Sequence, residues 1–119
     1  MRTPGPDHPI TITPNSKRVR VVLGGRVIAD TRRALTLKEA SLPPVQYLPR
    51  EDADWKLFRR TDHVTHCPYK GDASYYSVAV DGRTAENAVW SYEQPFSAVN
   101  AIASRLAFYP ERVDRIEEL

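Results

Sequence analysis

Short β-branched segments separated by turn residues occupy most of this 119-residue chain and leave little room for long helices. The stretch "VRVVLGGRVIAD" contains two such segments joined by Gly24-Gly25. A glycine pair accepts the positive φ that a two-residue hairpin turn requires. We therefore expect a β-hairpin in which Val21 lies opposite Ile28 and Val22 lies opposite Val27.

A second turn signal, Asp81-Gly82, separates the aromatic segments "ASYYSVAV" and "AENAVWSYEQP" and predicts another antiparallel pair. The helix candidate is Ala98 to about Arg105, with Ser97 as its N-cap and apolar residues spaced along one face. Short strands at this spacing, with one short C-terminal helix, favour a mainly β fold. We expect an antiparallel barrel or a folded-over antiparallel sheet, because the βαβ repetition of a parallel nucleotide-binding sheet is missing.

The chain is long enough for one hydrophobic core. Residues 1–16 are expected to form an extended N-terminal arm with one short edge segment at Ile10 to Thr13, and residues 17–119 a single β-rich domain. The tail "RVDRIEEL" is expected to add a final edge strand. The arm is set apart by four prolines: Pro4, Pro6, Pro9 and Pro14.

Seventeen basic and fifteen acidic residues give a formal charge of +2, too small to predict a nucleic-acid-binding face. No apolar run is long enough for a membrane helix or a signal peptide, so a soluble, cytoplasmic protein is expected. Cys67 is the chain's one cysteine, which excludes an internal disulfide. A homodimer formed through exposed strand edges is compatible with the pattern.

The segment "THCPYKGDASYY" predicts a sharp bend between two strands. Pro68 restricts Cys67 to an extended conformation, and Gly71 permits a turn directly after Lys70. The Cys67 thiol is interpreted either as a small buried apolar group or as a nucleophile or redox centre activated by Lys70 or His66. A zinc site of His63, His66 and Cys67 is disfavoured, because an extended chain holds its ends too far apart.

The strand "ENAVWSYEQP" forms the second candidate region. Strict alternation would place Glu86, Trp90 and Tyr92 on one face, next to Tyr75 of the partner strand. Buried tyrosine and tryptophan need hydrogen-bond partners, so this face is interpreted either as a pocket with an apolar wall or as an aromatic core layer. Arg20 projects from the face opposite Val19 and Val21, and it is interpreted either as a solvated side chain or as a group that helps Lys70 bind an anion.

The stretch "EDAD" supplies Glu51, Asp52 and Asp54, a spacing sometimes used for magnesium in nucleotidyl transfer. The chain has no Gly-Ser phosphate loop before it. An exposed acidic turn is the alternative interpretation.

Four blocks, "VRVVLGGRVIADTRRALTLKEASLPPVQYLPREDADW", "THCPYKGDASYYSV", "ENAVWSYEQP" and "AFYPERV", resemble a bacterial domain-of-unknown-function family, DUF427, which some catalogues label nucleotidyltransferase-like. The resemblance implies a mostly β fold similar to the β-tent-like sheets of the Mss-four group. Members of that group often hold zinc through two CxxC pairs, and this chain has none, so no metal site is assigned. The positions that match the family pattern are Thr65, Cys67, Pro68, Lys70, Gly71, Tyr75, Glu86, Asn87, Trp90, Tyr92 and Pro95.

The preferred hypothesis is a small-molecule pocket for an anionic or aromatic metabolite, formed where the Cys67–Gly71 bend meets the aromatic strands. An enzyme, using either the thiol or nucleotidyltransferase-like chemistry, and a β-edge protein-interaction module are the alternatives. No cofactor is assigned. The candidate ligand-binding residues are Lys70, Arg20, Thr65, Trp90 and Tyr92, and the candidate catalytic residues are Cys67, Glu86 and Tyr75.

Overall fold

A computed structural model describes residues 1–119. Ten β-strands follow one another along the chain: β1 (Ile10–Pro14), β2 (Val19–Leu23), β3 (Arg26–Thr31), β4 (Leu35–Glu39), β5 (Val45–Tyr47), β6 (Phe58–Cys67), β7 (Gly71–Val80), β8 (Arg83–Ser91), β9 (Ala107–Phe108) and β10 (Arg115–Glu118). Four short 3-10 helices lie between them, at Arg50–Asp52, Trp55–Leu57, Ser97–Ile102 and Pro110–Arg112. No helix is long and apolar enough to cross a membrane.

The strands form three antiparallel sheets with the orders β1-β4-β5, β10-β2-β3 and β6-β7-β8-β9. The expected mainly β, antiparallel architecture is confirmed. The barrel alternative is not supported, because none of the three sheets closes on itself. The likeness to tent-like sheets stays a prediction.

The glycine turn between β2 and β3 has the expected geometry, with φ of 60° at Gly24 and 74° at Gly25. Val22 lies opposite Val27, as expected. The expected pairing of Val21 with Ile28 is wrong, because a bulge shifts the register and places Val21 opposite Ala29. An extra residue in one strand cannot be inferred from alternation alone.

The expected C-terminal α-helix is a 3-10 helix at Ser97–Ile102 instead, kinked at Val99 where φ is −122°. Phe96 occupies the N-cap position, and no side chain caps the helix, so the assignment of Ser97 as the cap is wrong. The segment is anchored near both ends, since the Phe96 N–H donates to the Lys70 carbonyl and the Ser104 N–H donates to the Tyr92 carbonyl. These anchors leave too few residues for a longer helix.

Both ends of the chain join sheets. β1 pairs with β4, and the Arg2 N–H donates to the Pro68 carbonyl at 2.7 Å, which brings the first residues beside the Cys67–Gly71 bend. β10 pairs with β2, so the expected final edge strand is confirmed.

The buried apolar residues form a larger cluster and a smaller one. The larger cluster lies mainly between the β2-β3 hairpin and one face of β7 and β8. The smaller cluster lies on the other face and includes residues of β4 and β5. β7 lies between the two clusters, since its neighbouring residues Tyr76 and Tyr75 pack in the larger and the smaller cluster, respectively.

Candidate functional site

A cavity of about 210 Å³ opens beside the smaller cluster. The bend between β6 and β7 supplies one wall, β8 and the residue after it a second, and the β4–β5 segment a third. The lining residues are Leu37, Glu39, Leu42, Pro43, Val45, Tyr47, Lys70, Tyr75, Trp90, Tyr92 and Tyr109. Four of the predicted site residues, Lys70, Tyr75, Trp90 and Tyr92, are therefore brought together in one cavity.

The bend places Lys70 at the cavity. β6 ends at Cys67 and β7 begins at Gly71, where φ is 111°. Only glycine adopts this backbone conformation readily. A Cβ on Gly71 would lie at an ordinary contact distance of 3.6–3.7 Å from the backbone of residues 94–96, so the backbone conformation and not the space sets the requirement. The turn therefore depends on glycine, as the sequence indicated.

The aromatic wall is linked by hydrogen bonds. The Trp90 indole N–H donates to the Tyr47 hydroxyl at 3.3 Å, and the Tyr75 and Tyr109 hydroxyls lie 3.1 Å apart. The rings of Trp90 and Tyr109 pack with centroids 4.5 Å apart. Thr65 reaches this wall through its hydroxyl, 3.0 Å from that of Tyr75, but it does not line the cavity.

The charge of Lys70 is balanced inside the site. Its ammonium group donates to Glu39, and these two side chains are only 11% and 10% exposed. Nε2 of His8 lies 2.7 Å from the other carboxylate oxygen, and the His8 ring stacks on Tyr69. Burial by itself raises the pKa of Glu39, but the hydrogen bonds from Lys70 and His8 outweigh it and hold that pKa below its ordinary value. Glu39 is therefore ionised at neutral pH.

The hydroxyls of Tyr47, Tyr92 and Tyr109 are protonated at neutral pH, so each keeps a proton that it can donate. Burial raises the pKa of Tyr47 and Tyr92 far above the ordinary value, and it is the main reason that the pKa of Tyr109 rises to about 12. The Tyr92 side chain is nearly buried, yet its hydroxyl makes no hydrogen bond within the protein. The Lys70 ammonium lies 5.8 Å from the centre of the Tyr92 ring. Lys70 and Tyr92, which both line the cavity, therefore have donors that the protein leaves free.

Three predicted residues lie away from the cavity. Cys67 is half-buried and packs against the smaller cluster without lining the cavity. Arg20 lies on the β10-β2-β3 sheet, where it pairs with Glu117 at 3.3 Å, so the structure does not bring it to Lys70. Glu86 is exposed on β8.

The expectation that Glu86 shares a face with Trp90 and Tyr92 stays a prediction, since Glu86 is exposed and does not line the cavity. A register shift between β7 and β8 inserts extra residues around Asn87, which has a positive φ of 48°. Strict alternation ends at this bulge, so residues on its two sides cannot be assigned to one face by counting.

The side chains that could form the two possible metal sites are engaged in other contacts. His66 pairs with Asp72 at 2.7 Å, and the His63 ring packs edge-on against Tyr75. In the "EDAD" stretch each carboxylate bonds to a neighbouring side chain; the partners are Arg33, Thr31 and Arg26. No group of three or more His, Cys, Asp or Glu side chains is placed to hold a metal ion.

Sequence reasoning missed three polar lining residues: Glu39, Tyr47 and Tyr109. Glu39 and Tyr47 follow short apolar alternations in β4 and β5, and nothing in those segments distinguishes them from ordinary strand residues. Tyr109 stands in "AFYPERV", one of the blocks that carry the family resemblance, which was the one available signal.

The fold and the site together define a mainly β domain of open antiparallel sheets with a cavity lined with tyrosine and tryptophan. The family model NTP_transf_9, described as Domain of unknown function (DUF427), matches residues 11–119. The chain therefore belongs to the DUF427 family, which confirms the resemblance found from the sequence. A comparison with curated proteins finds none that matches.

Proposed function

We propose that this domain binds a compact, planar, uncharged small molecule that carries a hydrogen-bond acceptor. The observation that carries the proposal is the lining of the cavity, where five aromatic side chains surround a buried ion pair. Aromatic walls with a few fixed polar groups are typical of small-molecule sites. Flat ring systems pack favourably against such walls.

The free hydrogen-bonding groups favour an acceptor on the ligand. The Tyr92 hydroxyl has no partner in the protein, and the Lys70 ammonium uses one of its donors on Glu39. A ligand carbonyl or ring nitrogen would satisfy these groups, which otherwise face the cavity unpaired. An uncharged ligand is favoured over the anionic one expected from the sequence, because ionised Glu39 already neutralises Lys70 and would repel a second negative charge.

The size of the cavity limits the ligand. Drug-sized ligands usually occupy about 300–1,000 Å³, and this cavity offers about 210 Å³. A single ring with one short substituent fits that space better than a nucleotide does.

Acetophenone, a planar ring bearing one carbonyl group, is a suitable probe. The protein has two tryptophans, so a nitrogen-15 NMR spectrum contains two indole N–H signals. The Trp90 indole lines the cavity, whereas Trp55 packs against Phe58 and Tyr76 outside it. Acetophenone should shift the Trp90 signal in a saturable titration and leave the Trp55 signal in place.

Tyr92→Phe is the matched variant, because it removes the unpaired hydroxyl and keeps the ring. Loss of one ligand hydrogen bond should weaken acetophenone binding by roughly threefold to tenfold. Benzoate, which is planar but negatively charged, should bind more weakly than acetophenone. Equal shifts of both indole signals, or no saturable shift with any planar probe, would refute the proposed function.

A further inference from the structure

A second hollow adjoins the cavity. It is a groove of about 730 Å³ that runs along the outer side of β5, the segment after β9, and β10. Five residues line both the cavity and the groove, so the two hollows adjoin along these residues. The shared residues are Leu42, Pro43, Val45, Trp90 and Tyr109.

The groove differs from the cavity in chemistry. Beyond the shared residues its wall is formed largely by apolar side chains, among them Pro44, Pro110 and Ile116. Leu42, at the junction, is 52% exposed to solvent. The charged residues that line the groove are Glu111 and Glu118, and no basic side chain lines it.

From this adjacency we infer that the ligand of the proposed site is an amphiphile, with its planar head in the cavity and an uncharged alkyl chain in the groove. This inference rests on the proposed function, since the head must first occupy the cavity. The alkyl chain would cover the exposed apolar surface of the groove, which is favourable in water. Glu111 and Glu118 disfavour a chain that ends in a carboxylate.

The shared residues also indicate how the ligand would be oriented. Trp90 and Tyr109 stand between the two hollows, so a ligand lying past them has its acceptor next to Lys70 and Tyr92 and its chain directed towards Ile116. A para-alkylacetophenone has this arrangement, with the carbonyl at one end of the ring and the chain at the other.

The test measures dissociation constants of acetophenone, para-ethylacetophenone and para-butylacetophenone from the Trp90 indole signal. Burial of each added methylene should tighten binding by about fourfold. A para-alkyl probe whose chain ends in a carboxylate should not show this increase in affinity. Ile116→Asp, which places a charge in the groove, should reduce the gain per methylene.

Two further variants separate a groove effect from misfolding. Pro44→Asp changes an exposed groove residue and should also reduce the gain per methylene. Tyr92→Phe changes a residue that lines only the cavity, so it should weaken every probe by the same factor and keep the gain per methylene.

The outcomes distinguish the two proposals. If acetophenone binds and para-butylacetophenone binds no more tightly, the chain does not enter the groove and this inference fails while the proposed function stands. The inference is also overturned if both groove variants leave the gain in affinity per methylene unchanged. If no probe shifts the Trp90 signal, the proposed function fails and this inference fails with it.

Discussion

At the scale of single residues, the Glu39–Lys70 ion pair determines which ligands suit the cavity. Both side chains are nearly buried, and the carboxylate also bonds to His8. Removing one member of a buried ion pair leaves an uncompensated charge, whereas removing both leaves a neutral site. The pair therefore stabilises the fold less than the loss of either partner alone would indicate.

The buried ion pair predicts the result of a double-mutant cycle. Lys70→Met should lower the free energy of unfolding by about 3 kcal/mol, because Glu39 then stays buried without its main partner. The double variant Glu39→Leu/Lys70→Met should lose clearly less than the sum of the two single variants. Urea unfolding of the four proteins measures these changes. Additive losses would mean that the two side chains act independently.

The lowered pKa of Glu39 predicts that the stability of the fold depends on pH. The pKa of Glu39 in the folded protein lies below the ordinary value of 4.5. Its contribution to stability is therefore complete above about pH 4.5 and is lost as the pH falls through the lower, folded value. Between about pH 4.5 and the folded pKa, the stability of the wild type should fall more steeply than that of Glu39→Gln. The free energy of unfolding, measured for both proteins from pH 6 down to about pH 3, checks this. Parallel curves would contradict it.

At the scale of secondary-structure elements, residue types predicted the strands and turns, and β-bulges limited what alternation could predict. The glycine turns have the expected positive φ, and Lys70, Tyr75, Trp90 and Tyr92 line one cavity, because local backbone preferences and aromatic strands determine these features. The Val21 register was wrong, and the β7–β8 register around Glu86 could not be foreseen, since a bulge depends on contacts with neighbouring strands. Glu39 could not be found, because its partner Lys70 lies 31 positions away along the chain.

The bulge in β8 yields a prediction at this scale. Asn87 adopts a left-handed conformation with φ of 48°, and its side-chain oxygen accepts a hydrogen bond from Thr61 on β6 at 2.7 Å. Asn87→Val should lower the free energy of unfolding by about 2–3 kcal/mol, because a β-branched residue is strained there and the bond is lost. Asn87→Gly relieves the strain while losing the bond, so it should cost about 1 kcal/mol or less. Thermal and urea unfolding measure both, and equal losses would show that backbone strain does not matter at this bulge.

At the scale of the whole molecule, three open sheets are held together by strands that serve two clusters. β7 and β8 contribute side chains to both the larger and the smaller cluster, on opposite faces. The bridge between Leu48 and Leu106 further joins the segments after β5 and before β9. Since the clusters share the same two strands, neither can lose its packing without disturbing the other.

This sharing predicts that the molecule unfolds in one cooperative transition. Trp55 packs against Phe58 and Tyr76, next to the larger cluster, whereas Trp90 packs against the smaller cluster. In the single-tryptophan variants Trp55→Phe and Trp90→Phe, the remaining indole reports on one cluster by its fluorescence. For each variant, urea unfolding followed by fluorescence should coincide with unfolding followed by backbone circular dichroism, because a small domain with a shared core behaves as two states. If the fluorescence midpoint in one variant lay clearly below its circular dichroism midpoint, the cluster beside that indole would be unfolding separately, and the three sheets would not form one cooperative domain.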